Sequence, residues 1–271
     1  MSVEPRPMPN GTVQYSVDDA VALIRLDRPD SLNSMNDHLM ADISSAIAEA
    51  EADPLARVVV LTGTGRGFCS GADLNAVGPP PADSTKPRGD AVDGMDRFFN
   101  PALRAIKNCS VPTVARVNGV AAGGGLGLAL ACDITIAARS AFFVATFGPR
   151  LGIVPDLGST WSLPGRVGRA RAMGMAMLGD RITAEQAEQW GMIYAVVDDD
   201  ELDAEIARAT TILGRTSGPA MQRIRDAIDS ASTRSFSDQL DVERDHQRVL
   251  IPMNMLEGAN AFLEKRDPIF D

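Results

Sequence analysis

One aspartate and two glycine-rich loops carry the chemistry that this chain could do. The aspartate is Asp156, in Leu151-Gly152-Ile153-Val154-Pro155-Asp156. The loops are Gly67-Phe68-Cys69-Ser70-Gly71-Ala72-Asp73-Leu74 and Ala121-Ala122-Gly123-Gly124-Gly125-Leu126-Gly127. Each loop follows an apolar strand-like run, so each can present backbone N–H groups, and small residues let that backbone approach a ligand closely. Few other polar groups occur in the apolar middle of the chain. A carboxylate combined with two backbone donors suits one kind of chemistry: holding an oxyanion while a proton moves. Asp156 has a plainer alternative, since an aspartate just before Gly158-Ser159-Thr160 could cap a helix.

Other uses of the same residues fail on spacing. Counted from Gly123, the sixth position of a dinucleotide-binding fingerprint is Leu128 rather than glycine. No Gly-Lys-Ser or Gly-Lys-Thr occurs, so there is no P-loop. Gly67-Phe68-Cys69-Ser70-Gly71 resembles a nucleophile elbow with cysteine in place of serine, but a thiol nucleophile needs a histidine base. The two histidines are His38 and His246, and His246 sits among Glu243, Arg244, Asp245 and Arg248, the pattern of an exposed helical face. Cys69 reads better as a small packing residue. No His pair or Cys/His cluster has metal-ligand spacing, so no metal site is expected. Asp198-Asp199-Asp200-Glu201 reads as an acidic helix entry.

Composition bounds the rest. The 271 residues are 45% hydrophobic and 23% charged, enough apolar material for a large core and too little charge for disorder. The net charge of −10 argues against general nucleic-acid binding. The three cysteines, Cys69, Cys109 and Cys132, are odd in number and lack CxxC spacing, which fits a reducing compartment. The first residues lack the apolar core of a signal peptide, and no apolar run is long enough to span a membrane. A cytoplasmic protein without membrane contact is expected.

The elements that must position these groups follow from periodicity. Residues 1–11 read as a loose tail. Strands are expected at Tyr15–Val17 and Val21–Leu26, with a turn at Asp18-Asp19. A helix from Asn36 presents Leu39, Met40, Ile43, Ile47 and Ala50 on one face, and Asp53-Pro54 stops it. Val58–Leu61 is the continuous apolar run of a strand buried on both faces. Residues 75–94, rich in proline and aspartate, read as a long loop, either a lid or a plain insertion. Thr113–Val117, Ile134–Ala138 and Phe142–Ala145 are further strands, and the triple-glycine loop opens a helix through Ala131. Thr183 with Gln186 forms a capping box. Helices are expected at Asp200–Leu213, Pro219–Ala231, Phe236–Leu250 and Met255–Lys265. Strands alternating with helices, then helices alone, indicate an α/β core over 1–198 and a helical part over 199–271.

Taken in order, Leu26-Asp27-Arg28-Pro29, Gly67 to Leu74, Val117-Asn118-Gly119 through Cys132-Asp133-Ile134, and Leu151 to Thr160 resemble the crotonase (enoyl-CoA hydratase/isomerase) family, nearly end to end. The resemblance implies an α/β spiral of ββα units with a helical C-terminal trimerisation region, assembled as a homotrimer or dimer of trimers. It implies an acyl-CoA thioester substrate, with coenzyme A entering as part of the substrate and no separate cofactor. By motif match the oxyanion donors are the N–H groups of Ala72 and Gly124. The same match places Arg28, Leu32 and Asn33 near the nucleotide end of the coenzyme, and Gly71, Asp73, Leu74 and Gly123 along its pantetheine arm or beside the donors. Phe262 and Lys265 match positions that reach a neighbouring subunit's coenzyme. Asp133 is expected to be structural.

The chain departs from the hydratase pattern at two places. Hydratases of this family resemble one another in carrying two glutamates, whose positions here hold Gly127 and either Phe147 or Gly148. Adding water needs a base and an acid, while shifting a double bond needs one carboxylate that takes and returns a proton. The resemblance is to bacterial ring-epoxide phenylacetyl-CoA isomerases within the family, with Asp156 as acid/base. An enoyl-CoA hydratase of atypical site and a non-catalytic acyl-CoA binder remain the alternatives.

Overall fold

The computed structural model describes residues 4–74 and 90–270 of the chain. Its larger sheet holds β1 (Arg6–Pro7), β2 (Val13–Asp18), β3 (Val21–Leu26), β4 (Val58–Gly63), β6 (Thr113–Val117), β8 (Ile134–Ala138) and β11 (Ala195–Val197), side by side in that order. The smaller sheet holds β5 (Gly67–Cys69), β7 (Val120–Ala122), β9 (Phe142–Val144) and β10 (Ile182–Thr183), also neighbours in chain order. The β1–β2–β3 pairings are antiparallel, and β3, β4, β6, β8 and β11 run parallel.

The chain alternates between the sheets. After β4, β6 and β8 it places β5, β7 and β9 in the smaller sheet, and each such pair is followed by helix: α2 (Asp90–Gly94) and α3 (Asn100–Lys107), then α4 (Gly124–Ala131), then α5 (Ser159–Leu178). This is a spiral of ββα units. All six residues of β4 are buried, as a continuous apolar run in a parallel sheet requires. All eight residues of α4 are buried and none is polar, the signature of a helix enclosed by its neighbours. It packs against β5, β6, β7, β8, α3 and α5.

Local chemistry sets several boundaries as expected. The Asn36 side chain accepts the Leu39 N–H and caps α1 (Asp37–Ala52), a contact worth about 1 kcal/mol. Thr183 and Gln186 form the capping box of α6 (Ala184–Gln189). Beyond β11 the described chain is helical: α7 (Leu202–Gly214), α8 (Gly218–Ala231) and α9 (Phe236–Glu264). Asp133, just before β8, accepts Thr113 N–H at 2.8 Å and Arg225 Nε–H from α8 at 2.7 Å, so it is the structural anchor expected of it.

Two expectations are corrected, and a third lies mostly outside the described residues. Residues 1–11 are not a loose tail throughout, because β1 pairs with β2 and Met8 is buried. Of the expected loop 75–94, residues 75–89 lie outside the described residues, and Asp90–Gly94 is helical. The helices expected on either side of Pro252 are one helix, α9, with Pro252 inside it; proline removes a single hydrogen bond, and the flanking turns carry the helix on. The region after Asp156 forms α5, broken at Gly168 (φ 76°), which periodicity alone did not reveal.

Candidate active site

The two glycine loops, with 46 residues between them in sequence, meet in space. Met35 forms a parallel bridge to Ala72: its N–H donates to Gly71 O at 2.7 Å, and Asp73 N–H donates to Met35 O at 2.7 Å. Alternation along an extended segment turns the intervening Ala72 N–H to the opposite side. Gly124 opens α4, where an N–H has no partner within the helix and faces outward with the positive end of the helix dipole. Gly71, at φ +96°, joins the two: a side chain there would strike Ala122 O at 2.8 Å and stand 3.4 Å from the Gly124 nitrogen. Only glycine meets both demands.

Asp156 directly precedes Leu157, which packs on the second glycine loop. The Leu157 side chain packs on Gly124, and its backbone packs on Gly127. The plainer alternative for Asp156 is not what the structure displays. The N-cap of α5 is Gly158, which has no side-chain cap bond, and Asp156 contributes its backbone carbonyl, accepting Ser159 N–H at 2.9 Å. The carboxyl is half-buried, and that burial pushes its pKa above the usual carboxylate range, with its own backbone N–H acting in the opposite direction.

Gly127 and Gly148, among the positions matched to the hydratase glutamates, are closed to a side chain as well as lacking an acid. A Cβ on Gly127 would meet Leu157 O at 2.4 Å, and one on Gly148 would meet Ala176 O at 2.8 Å. Both obstacles are backbone, which cannot swing aside as a side-chain tip can. Phe147 is buried in the core.

The residues assigned to the coenzyme are placed unevenly. Asn33 is fully buried: its Oδ1 accepts Arg28 N–H at 2.9 Å, and its Nδ2 donates to Thr64 O at 3.0 Å and Gly67 O at 2.9 Å. This corrects the expected coenzyme contact, because the side chain faces inward and clamps the first glycine loop. Leu32, half-buried in the left-handed conformation, leads into it. Arg28 pairs with Asp73 at 2.7 Å and also donates to Ser34 O. Asp73 therefore has its carboxylate on Arg28 and its N–H on Met35, while Leu74 is exposed. Gly123, at φ +51°, donates its N–H to Val144 O and lies against Gly71. Phe262 is 83% exposed, so it does not pack within its own chain, and Lys265 closes α9 in the left-handed conformation.

Cys69 is fully buried, and burial pushes its thiol up to about 12. His38 contacts Asn10 and His246 contacts Arg223, so neither histidine serves Cys69 as a base. Among the described residues no cluster of three or more His, Cys, Asp or Glu could hold a metal, and no helix is long and apolar enough to cross a membrane.

One feature was not legible in the sequence. A cavity of about 310 Å³ lies between α3 and the start of α5, lined by Leu103, Lys107, Leu130, Leu157 and Trp161 among others. Its lining residue Leu157 also packs on the second glycine loop. Met95, Phe98 and Phe99 are half-buried beside α3, and Lys107 Nζ sits 5.2 Å from the exposed Trp161 ring. A larger cavity of about 690 Å³ lies between α8 and α9, but its lining is Arg223, Asp226, Asp245, His246 and similar charged groups, with no member of the donor loops and no Asp156. The glycine loops and Asp156 lie apart from this larger volume.

Comparison with known proteins decides the family. The enoyl-CoA hydratase/isomerase family matches residues 16–271. The chain belongs to that family. It is 45% identical over 255 residues to the 1,2-epoxyphenylacetyl-CoA isomerase of Escherichia coli (strain K12), covering 94% of this chain and 96% of that one. It is 38% identical over 267 residues to a probable enoyl-CoA hydratase of Rhodobacter capsulatus, covering 96% and 97%. The crystal structure of an enoyl-CoA hydratase from Polaromonas sp. JS666 superposes with a TM-score of 0.85 at 32% identity, covering 96% of this chain and 99% of that one. The fold is thus the crotonase fold, and the activity lies within the family's hydratase/isomerase range.

Proposed function

We propose that the chain is an acyl-CoA isomerase that works through an enolate with one carboxylate. The observation that carries this reading is the pairing of a half-buried Asp156 with backbone-closed positions at Gly127 and Gly148. The N–H groups of Ala72 and Gly124 hold the thioester oxygen. Asp156 removes a proton from C2 or C4 of the acyl chain, the C–H electron pair moves into the conjugated system, and negative charge settles on the held oxygen. The protonated Asp156 then returns the proton at the other end, and the double bond has moved. Each preorganised donor is worth roughly 2.7–4 kcal/mol to the charged intermediate. The raised affinity of Asp156 for a proton suits a group that must both take and give one. The cycle uses no cofactor; coenzyme A is carried by the substrate.

The acyl group is either an enoyl chain or a ring epoxide, the latter supported by the 45% identity to the Escherichia coli isomerase. Further copies of the chain cover the exposed apolar residues of α8 and α9, such as Ile228, Leu256 and Phe262, as a homotrimer or dimer of trimers would. Phe262 and Lys265 then meet a neighbour's coenzyme. The test follows solvent deuterium into a 3-enoyl-CoA and a 2-enoyl-CoA. Migration with exchange at C2 and C4, lost in Asp156→Asn, is the expected result. Water addition without migration would make the chain a hydratase, and thioester binding without turnover of either enoyl or ring-epoxide substrates would make it a binder.

A further inference from the structure

Arg28 stands at the centre of a closed ring of contacts around Ala72. Its backbone N–H donates to Asn33 Oδ1, and its carbonyl accepts Asn33 N–H at 2.8 Å. Its guanidinium donates to the Ser34 carbonyl, to Ser34 Oγ at 3.2 Å and to Asp73 Oδ2 at 2.7 Å. Ser34 precedes Met35, and Met35 holds both residues flanking Ala72. The ring therefore runs Arg28, Ser34, Met35, then Gly71 and Asp73, with Ala72 between the last two. The ion pair that closes it is mostly shielded from water, the Arg28 and Asp73 side chains being 23% and 11% exposed. A shielded guanidinium–carboxylate contact fixes direction as well as distance, which an exposed pair does not.

We propose that Arg28 is a positioning residue for the oxyanion hole, acting through Asp73 and Ser34 to fix the plane of the Ala72 peptide, rather than a phosphate ligand of the coenzyme. The inference rests on the reading of Ala72 as an oxyanion donor. A donor stabilises a developing charge only while its N–H points at the oxygen, and a shift of about 1 Å costs about 100-fold in rate. A lysine at position 28 keeps the charge but loses the fork that spans Ser34 and Asp73 together.

The test uses the full chain and reads the held carbonyl directly. A saturated acyl-CoA labelled with ¹³C at the thioester carbonyl is bound to the native chain, Arg28→Gln, Arg28→Lys, Asp73→Asn and Asp156→Asn, and the carbonyl stretch is followed by infrared difference spectroscopy. The stretch should fall on binding to the native chain and to Asp156→Asn, and return toward the free value in Arg28→Gln and Asp73→Asn. Arg28→Lys should fall between. In parallel, kcat for double-bond migration should drop about 100-fold in Arg28→Gln, with KM and the Kd of coenzyme A within about twofold of native. The Arg28→Gln/Asp73→Asn double variant should be no worse than either single one, since both open the same ring.

A raised KM and weaker coenzyme A binding, with kcat and the carbonyl stretch unchanged, would overturn the proposal and make Arg28 a coenzyme ligand. A lowered melting temperature with the stretch unchanged would overturn it in favour of a purely structural pair. A native chain that shifts the stretch but exchanges no proton would sink the isomerase reading and leave the Arg28 result decisive on its own. A native chain that binds no thioester would overturn both.

Discussion

The segment that carries Ala72 and the segment that carries Asp156 are held by different forces. Around Ala72 the contacts are polar and interlocking: Asn33 clamps the loop, Arg28 clamps Asn33, Ser34 and Asp73, and Met35 bridges both flanks. Around Asp156 they are apolar: Leu157 packs on Gly124 and Gly127, and among the described residues no salt bridge reaches the Asp156 carboxyl, whose pKa burial raises. The difference suits the two tasks proposed for these segments. A donor must point in one direction without reorganising, which directional hydrogen bonds accomplish. A group that exchanges a proton must not be trapped as an anion, and burial keeps its proton affinity high.

The sharpest way to break this comparison is Asp156→Asn, which removes the acid and leaves the donors. Migration and deuterium exchange should fall by about 10³-fold while acyl-CoA binding stays near native, measured by exchange NMR and by calorimetry. Retained exchange would move the catalytic role elsewhere.

The next largest effect should come from Gly127→Glu, which restores a hydratase glutamate in type. The added Cβ has Leu157 O at 2.4 Å, so the variant should be destabilised by about 1–3 kcal/mol in urea unfolding and should lose migration as Leu157 shifts. It should gain no water addition to a 2-enoyl-CoA. Efficient hydration by this variant would mean that the segment around Leu157 yields easily.

Asp156→Asn should also change stability with pH. Burial raises the folded-state pKa, so the folded chain binds this proton more tightly than the unfolded one, and the ionised carboxylate opposes folding. That cost is absent below the unfolded value of about 3.9, grows as pH rises, and is complete above the raised folded value. Thermal scans should therefore find the variant more stable than native at pH 7, by a few °C at most, with the gap closing toward pH 4. A gap that widened on acidification would contradict the burial argument.

The smallest expected effect separates the donor loop from a thiol mechanism. Cys69 lies within the first glycine loop, yet its thiol is buried and pushed up to about 12. Iodoacetamide under native conditions at pH 7.5 should leave both Cys69 and activity essentially unmodified, as read by mass spectrometry and rate. Rapid alkylation with loss of activity would reopen the hydrolase reading.

The sequence by itself determined the parts set by near neighbours. Thr113–Val117 and Ile134–Ala138 have the expected bounds because their apolar runs are short and punctuated, and the Asn36 cap and the Thr183–Gln186 box follow from residues three apart. The family was legible because its motifs are contiguous. Tertiary structure decided what depends on residues far apart in the chain. Asn33 and Arg28 read as coenzyme contacts in sequence, and only the folded chain brings them against Gly67 and Asp73. Gly127 and Gly148 read merely as missing acids, until Leu157 and Ala176 are seen to fill their space. The proton affinity of Asp156 is likewise a property of burial, which no local pattern encodes, because desolvation is set by every element packed around the group.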